Sequence, residues 1–400
     1  MRSRAASGSD GVAASRWGTV GLLTGAHLLH DASLGTLGVF LPFLRERLGF
    51  SLFLAGLLVP AQQAGSLLQP AMGYLADTYG KKRFVVTFLT VTSVSMSLLG
   101  LSFSYVALLV IVMLGGLSSA AYHPAGSALV TSFAGRRWGT GLAIYHFGGN
   151  IGLAAGPLGA AWVVEVHGLS GNWMLMLPAL LWAPLVLAKV PTDSRGRTDS
   201  EQLRSVLGWV RQHWTPFAAL AAIVLGRSIG AGGLGLFLPT LLLQRDYSIG
   251  VVALITSSYF AIGGAGGLLM GSLSDRFGRH RIIRVMLVAG PAMLLLFLGS
   301  AGAPAIVFLL GASISLKGEQ PVIMALIQEW APTRRGTIVG LVLGLQFVLG
   351  GLGTALIGYL ADSMGLVRAF QLVALFPLIG LPFVRRLPEG LLGSDADAVT

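Results

Sequence analysis

The sequence of 400 residues contains no cysteine and few charged side chains. The absence of cysteine excludes disulfide bonds and thiolate metal sites. Charged residues make up 11% of the chain and hydrophobic residues 54%, whereas soluble domains carry roughly 25% charged residues. So few charges cannot cover the surface of a soluble protein of this length, but they suffice where lipid covers most of it. The composition therefore indicates a membrane protein.

Motifs of several other function classes are also missing. The chain has no phosphate-binding loop of the form GxxxxGK[ST], no HExxH, no GxSxG and no GxGxxG after a predicted strand. These absences argue against a nucleotide-driven pump and against a membrane-embedded enzyme or receptor. We therefore predict no enzymatic activity, no cofactor and no metal site, and an ion gradient as the energy source.

Long apolar runs are abundant. Runs of roughly 17–25 residues are long enough to cross a bilayer as helices, and about twelve predicted spans lie near 17–44, 52–75, 84–103, 105–129, 138–164, 171–189, 214–243, 249–273, 282–299, 304–328, 336–361 and 367–384. We predict an all-α membrane protein of two six-helix halves at 17–189 and 214–386. The polar remainder consists of a cytoplasmic N-terminal tail at 1–16, a cytoplasmic linker at 190–213 and a cytoplasmic C-terminal tail at 387–400.

The basic residues are distributed unevenly between the loops. Of the 27 Lys and Arg residues, Arg45, Arg47, Arg245 and Arg368 fall on one side, and Arg227 and Lys317 fall inside spans. The remaining 27 − 4 − 2 = 21 fall on the other side, which the positive-inside rule assigns to the cytoplasm. We therefore predict a multi-pass inner-membrane protein with both termini cytoplasmic. The net charge of +11 then reflects topology, and we predict no nucleic-acid partner.

One charged hairpin occurs twice. The segment from Gly73 to Arg83, GYLADTYGKKR, returns as GSLSDRFGRHR from Gly271 to Arg281, at an offset of 271 − 73 = 198. Three further landmarks repeat at 197 or 198: Phe40-Leu41-Pro42 with Phe237-Leu238-Pro239, His123-Pro124 with Gln320-Pro321, and Arg136-Arg137 with Arg334-Arg335. Two membrane halves with matching landmarks are typical of a secondary transporter.

The hairpin resembles the loop between the second and third helices of the major facilitator superfamily, G-x-L-a-D-r-x-G-r-k-r. Within that superfamily the chain resembles the fosmidomycin-resistance group of drug efflux proteins. The segments that carry this second likeness are HLLHD at 27–31, HPAGS at 123–127 and GGNIG at 148–152, with Gly156-Pro157. The resemblance implies the major facilitator fold, alternating access, and a central cavity lined by the first, fourth, seventh and tenth helices.

The resemblance also implies gating residues. The family's hairpin holds the cytoplasmic side closed, which makes Asp77 and Arg83 latch residues here, with Asp275 and Arg281 in the second half. The alternative is a solvated turn whose charges only set topology.

A second gating segment, with Gly152, Gly156 and Pro157, is similar to the antiporter signature G-x-x-x-G-P-x-x-G-G, although Ala160-Ala161 replace the final glycines. Small residues four apart allow close helix contact and proline bends a helix, so this segment is a candidate pivot. Generic helix packing is the alternative.

Ionisable residues inside predicted spans mark a pathway, because a charge in hydrocarbon costs several kcal/mol. The cavity helices carry His27, His30, Asp31, His123, Arg227, Lys317 and Glu319. Asp31 is the leading proton-coupling candidate, with His27 four residues earlier on the same helix face and Glu319 in the second half. The alternative for Asp31 is a structural hydrogen bond to a neighbouring helix.

The predicted substrate-binding residues are His30, His123, Arg227, Lys317, Gln320, Gln62 and Gln346. His123 is equally compatible with a structural role. Glu319 is also placed to pair with Arg227 across the seventh and tenth helices. If Glu319 neutralises only one of the two cations, the other remains in the cavity, which then suits an anionic or zwitterionic ligand.

The sequence thus predicts a proton-coupled antiporter that exports a small fosmidomycin-like drug or metabolite. Its predicted partners are that substrate, protons and the lipid bilayer, and the predicted functional unit is a monomer. The alternative is an importer or facilitator of a small organic anion or sugar.

Overall fold

A computed structural model describes residues 6–192, 208, 210–330 and 335–388. The predicted linker and C-terminal tail lie mostly outside these residues, as do Arg334 and the first five residues of the predicted N-terminal tail. The first helix begins at Ala6, inside that predicted tail. The apolar run that set the predicted boundary marks the membrane part of the helix and not its first residue.

The first half contains eight α-helices among its described residues. They are α1 (Ala6–Gly35), α2 (Leu37–Leu48), α3 (Leu52–Gln63), α4 (Gln69–Tyr79), α5 (Lys81–Met96), α6 (Tyr105–Ala134), α7 (Trp138–His167) and α8 (Leu177–Lys189). Short 3₁₀ segments at Ala64–Leu68, Leu99–Leu101, Gly135–Arg137 and Leu169–Met176 connect or extend them.

The described part of the second half is similar but has seven α-helices, because its second span is one uninterrupted helix. It contains α9 (Trp214–Ala231), α10 (Leu234–Leu243), α11 (Ile249–Phe277), α12 (Arg279–Gly299), α13 (Gly302–Trp330), α14 (Arg335–Met364) and α15 (Leu366–Val373). A 3₁₀ segment at Phe376–Arg386 completes the last span.

Ten helical segments among the described residues are long and apolar enough to cross a membrane. They run from Lys81–Leu101 to Leu366–Arg386 and correspond to the third through twelfth predicted spans. The first two predicted spans are covered by α1 with α2 and by α3 with α4, each interrupted by a short non-α segment. The predicted fold class, an all-α membrane protein in two halves, is confirmed.

The chain forms two compact units. Unit 1 comprises residues 1–49, 61–198 and 248–257, and unit 2 comprises residues 50–60, 199–247 and 258–400. Unit 1 has a core of aliphatic and aromatic side chains that includes Leu23, Leu89 and Tyr122. Unit 2 has a core of its own around Ile223, Ile283 and Leu326.

Glycines allow α7 of unit 1 to pack directly on the backbone of α1. A Cβ atom added at Gly152 would collide with the carbonyl oxygen of Leu28, and one at Gly156 with that of Ala32. Close backbone approach through small residues is the usual way in which helices associate in lipid. The segment predicted as a pivot is therefore a tight helix contact, and its gating role stays a prediction.

Two arginines bind carbonyl groups at the ends of helices. They occupy repeat positions, because 245 − 47 = 198. The Arg47 guanidinium donates to the carbonyl oxygens of Gly100 and Ser102, both at 2.7 Å. The Arg245 guanidinium donates to those of Phe297, Leu298 and Ser300 at 2.9–3.3 Å. The last carbonyls of a helix have no partner within it, so these arginines fasten equivalent helix ends in the two units.

Within unit 2, Asp362 caps the start of α3. Its two carboxylate oxygens accept hydrogen bonds from the backbone N–H groups of Leu52 and Phe53, at 2.8 and 2.9 Å. A carboxylate at a helix N-terminus satisfies free amides and complements the helix dipole. Gly56 and Gly358 let α3 and α14 approach closely along the same contact, which leaves no space for a Cβ atom at either position.

Candidate functional site

The first candidate site is a cluster of three histidines and one aspartate in unit 1. His27, His30 and Asp31 lie on one face of α1, because residues three and four apart in a helix are neighbours. They are buried, with exposed fractions of 2%, 0% and 7%. His123 on α6 completes the cluster and is the most exposed member, with 32% of its side chain accessible.

Asp31 lies at the centre of the cluster. Its Oδ1 is 2.8 Å from His30 Nδ1 and 3.9 Å from His123 Nε2, and its Oδ2 is 3.3 Å from His27 Nε2. The other nitrogen of His27, Nδ1, lies 2.8 Å from the backbone carbonyl oxygen of Tyr145. The structure thus brings together Asp31 and three of the histidines that the sequence singled out.

The contacts of His27 favour one proton between His27 and Asp31. A carbonyl oxygen only accepts, so His27 Nδ1 carries a hydrogen and donates it to Tyr145. In a neutral ring, Nε2 would then present a lone pair to the Asp31 carboxylate, and two acceptors repel each other. The 3.3 Å approach is favourable when a proton is bound, either on His27 or on Asp31. A proton on either residue would therefore stabilise the pair.

Aromatic rings and one glycine fix the cluster in place. The His27 ring stacks on Tyr145 at 4.1 Å between centroids, and the His30 ring stacks on Tyr122 at 4.1 Å. Gly149 on α7 faces the pair, and a Cβ atom there would lie 2.6 Å from Asp31 Oδ2 and 2.7 Å from His27 Nε2. Gly149 therefore makes the space in which Asp31 and His27 meet.

The ligand atoms of His27, Asp31 and His123 all lie within 4.8 Å of one another, a spacing that suits a metal ion. Among the described residues this is the one group with such spacing. Asp31 already accepts a direct hydrogen bond from the His30 ring and faces His27.

The second candidate site lies in unit 2 and contains buried opposite charges. Arg227 on α9 is 5% exposed and Glu319 on α13 is 2% exposed. Arg227 Nε lies 3.5 Å from Glu319 Oε2, and Arg227 Nη2 donates to the carbonyl oxygen of Leu316 at 3.3 Å. This geometry agrees with the alternative in which Arg227 and Glu319 neutralise each other across two helices.

Lys317 on α13 is the remaining cation of this site. Its ammonium lies 4.5 Å from the ring centroid of Phe260 and 5.3 Å from that of Tyr259, both on α11. In the described part of the chain, no carboxylate forms an ion pair with this ammonium. Lys317 and Glu319 thus point to different helices, as their spacing predicted.

The seven predicted substrate-binding residues are divided between the two units. His30, His123 and Gln62 belong to unit 1, and Arg227, Lys317, Gln320 and Gln346 belong to unit 2. The side-chain nitrogen of Gln62 is buried without a hydrogen-bond partner among the described groups. Gln320 and Gln346 are half-buried on α13 and α14.

In the charged hairpins, each aspartate pairs with the basic residue four positions later. Asp77 Oδ1 is 2.9 Å from Lys81 Nζ, and Asp275 pairs with Arg279, which also binds Glu329 on α13 at 2.7 Å. The predicted latch residues Arg83 and Arg281 are exposed. Their gating role stays a prediction, and Lys81 and Arg279 are the bases that the structure places against the acids.

Sequence reasoning missed several residues of both sites. Tyr122 and Tyr145 gave no signal, since an aromatic residue in an apolar run is ordinary core. Tyr259 and Phe260 were missed for the same reason. A signal did exist for Arg279, because it repeats Lys81 at the common offset of 279 − 81 = 198.

Comparisons with known proteins agree with this architecture. The sequence model of one family, described as Major Facilitator Superfamily, matches residues 23–248 and 217–397. The fosmidomycin resistance protein of Escherichia coli (strain K12) is 26% identical over 389 residues, which cover 94% of each chain. The gallate transporter of Pseudomonas putida is 26% identical over 413 residues, which cover 93% of this chain and 90% of that protein.

Among solved structures, the fold is similar to that of a bacterial homologue of the human lysosomal transporter Spinster, in an inward-facing and occupied conformation. The TM-score is 0.80 at 15% identity, over 92% of this chain and 96% of the other. At that identity the likeness establishes the fold.

Proposed function

The chain belongs to the major facilitator superfamily, and we propose that it is a proton-coupled antiporter that exports a small anionic or zwitterionic compound. Membership makes it a multi-pass membrane transporter of small molecules and not an enzyme. Coupling, direction and substrate class are the proposed parts. We place it in the inner membrane as a monomer that works by alternating access, with both termini cytoplasmic and the charged hairpins acting as latches.

The observation that carries the proposal is the buried pair of His27 and Asp31. The fixed Tyr145 carbonyl forces His27 to face Asp31 with its second nitrogen, so the pair binds a proton when it is closed at 3.3 Å. The more accessible His123, 3.9 Å from Asp31, offers a route by which the proton exchanges. Buried ionisable groups with these features are typical of proton relays in transporters.

Two observations support export of an anion. The relative named for fosmidomycin resistance matches 94% of this chain, which supports export of a small drug-like compound. In unit 2, Arg227 is matched by Glu319, whereas Lys317 faces aromatic rings without a carboxylate partner among the described residues. A cation in a site of low polarity favours a ligand with a negative group.

Everted membrane vesicles test the function. With an imposed proton gradient, adding fosmidomycin should release protons from the vesicle lumen, and a pH-sensitive dye inside the vesicles reports the change. Vesicles without the protein are the control. Proton movement that is the same with and without the protein, across a panel of small anions, would contradict the proposal.

The alternative is an importer or facilitator of a small organic anion, and the relative named as a gallate transporter favours it. Collapsing the proton gradient of intact cells separates the two directions. The substrate of an exporter then accumulates in the cells, whereas the substrate of a proton-driven importer is lost from them.

A further inference from the structure

The charges around Lys317 do not balance. Arg227 and Lys317 contribute two positive charges and Glu319 contributes one negative charge, and the Arg227–Glu319 pair at 3.5 Å uses one of each. The site formed by these three described residues therefore keeps one positive charge, on the Lys317 ammonium. Membrane interiors penalise an uncompensated charge, and a negatively charged ligand beside Lys317 would balance it.

Two aromatic rings fix the position of that charge. The Lys317 ammonium lies over Phe260 at 4.5 Å and beside Tyr259 at 5.3 Å, a distance range in which ring faces attract cations. Tyr259 is 2% exposed, and Phe260 and Lys317 are half-buried. The two rings therefore cover one side of the ammonium.

A glycine makes this arrangement possible. Gly263 lies one turn after Tyr259 on α11, and the Lys317 side chain runs across it towards the rings. A Cβ atom at Gly263 would collide with Cδ of Lys317 and would lie 3.1 Å from its Cβ. Gly266 continues the contact, since a Cβ atom there would lie 2.8 Å from the Cα of Ile314 on α13. Because α11 and α13 approach so closely, Lys317 has little freedom to turn elsewhere.

We propose that this site binds singly charged organic anions, with Lys317 as the binding cation, Tyr259 and Phe260 as the residues that select an apolar or aromatic body, and Gly263 as the residue that positions Lys317. A second negative charge would have no partner, because Glu319 already occupies Arg227. The inference rests on the proposed transport of small anions and specifies their charge and shape.

Benzoate and phthalate are a matched pair of probes, with one and two carboxylates on the same ring. We expect the purified full-length protein to bind benzoate at least about tenfold more tightly than phthalate, measured by isothermal titration in detergent. Benzoate should also bind more tightly than acetate, because acetate has no ring. Equal or tighter binding of phthalate, or no binding of benzoate, would overturn the inference.

Variants test the individual roles. Lys317→Gln should weaken benzoate binding about ten- to a hundredfold, and Lys317→Arg should retain most of it. Gly263→Ala should also weaken binding although it removes no charge, whereas Gly340→Ala on α14, where nothing lies within 4 Å, should not. Phe260→Leu should reduce the preference for benzoate over acetate. Unchanged benzoate binding in a folded Lys317→Gln variant would contradict the role of Lys317.

Failure of this inference and failure of the proposed function are distinguishable. If vesicles exchange protons for anions but phthalate is preferred, the charge balance is wrong and the transport function stands. If no anion from the panel moves protons, the transport function itself is wrong.

Discussion

At the scale of single residues, Asp31 has the most specific role. An asparagine there keeps the shape of the side chain and donates a fixed hydrogen bond to His27 Nε2, but it releases no proton. We expect Asp31→Asn to fold and insert normally and to abolish exchange of protons for substrate in everted vesicles.

Asp246→Asn is the matched control for this change. Asp246 lies outside the spans with a backbone φ of 62°, a left-handed conformation that asparagine tolerates well. The Asp246→Asn variant should therefore exchange protons for substrate normally. Full exchange by the Asp31→Asn variant would contradict the proton role of Asp31 and leave Glu319 as the candidate.

Gly149 tests the same site without changing an ionisable group. Because a Cβ atom there would lie 2.6–2.7 Å from Asp31 and His27, Gly149→Ala should separate the pair and impair proton coupling. Overpacking of this kind costs about 1–3 kcal/mol of stability, so thermal unfolding should be measured beside transport.

Gly139→Ala is the control on the same helix, since no atom lies within 4 Å of that position. A loss of coupling that is equal in both variants would show that α7 tolerates no added methyl group, and the specific role of Gly149 would be wrong.

At the scale of elements, the Arg227–Glu319 pair joins α9 to α13. Removing one partner of a buried pair leaves an uncompensated charge and costs about 3–5 kcal/mol, whereas removing both is often close to neutral. Arg227→Ala and Glu319→Ala should each lower the thermal unfolding temperature in detergent, and the double variant should recover most of the loss.

The outcome also decides between two roles of Arg227. If the recovered double variant still binds benzoate, the pair is structural and Lys317 alone binds the anion. If Arg227→Ala stays stable and loses benzoate binding, Arg227 itself binds the substrate.

The charged hairpins are the elements for which a mechanical role is proposed. Asp77→Asn removes the charge that faces Lys81 at 2.9 Å, and should slow turnover more than it weakens substrate binding. Steady-state transport assays that separate kcat from KM measure this, with Asp275→Asn as the comparison in the second hairpin. Binding that falls in proportion to turnover would indicate misfolding instead of a gating defect.

At the scale of the whole molecule, hydropathy and the repeat predicted the fold well. The tenth predicted span, 304–328, corresponds to the helical segment Gly302–Trp330 in the structure. The seventh, 214–243, corresponds to Trp214–Leu243. Hydropathy suffices because the backbone of a span must satisfy its own hydrogen bonds in lipid, which leaves the helix as the available structure for such a segment.

The sites were predicted only in part. The pairing of His27 with Asp31 follows from their spacing of four on one helix, so the sequence contained it. The contacts of His27 with Tyr145 and of Lys317 with Phe260 join different helices. Their register depends on which glycines face each other, and no periodicity within one helix encodes that. The choice of Lys317 over Arg227 as the cation without a carboxylate partner among the described residues likewise depended on the ion pair between Arg227 and Glu319.

The cap on α3 has a consequence for hydrogen exchange. The first amides of a helix ordinarily have no partner within it and exchange quickly with solvent. Here Asp362 accepts hydrogen bonds from both Leu52 and Phe53, so deuterium should enter these two amides slowly while the carboxylate is in place. Each release of Asp362 exposes them for labelling. The deuterium content of one short peptide around residue 52 would therefore record how often this contact opens. The measurement needs no attached probe and no substitution.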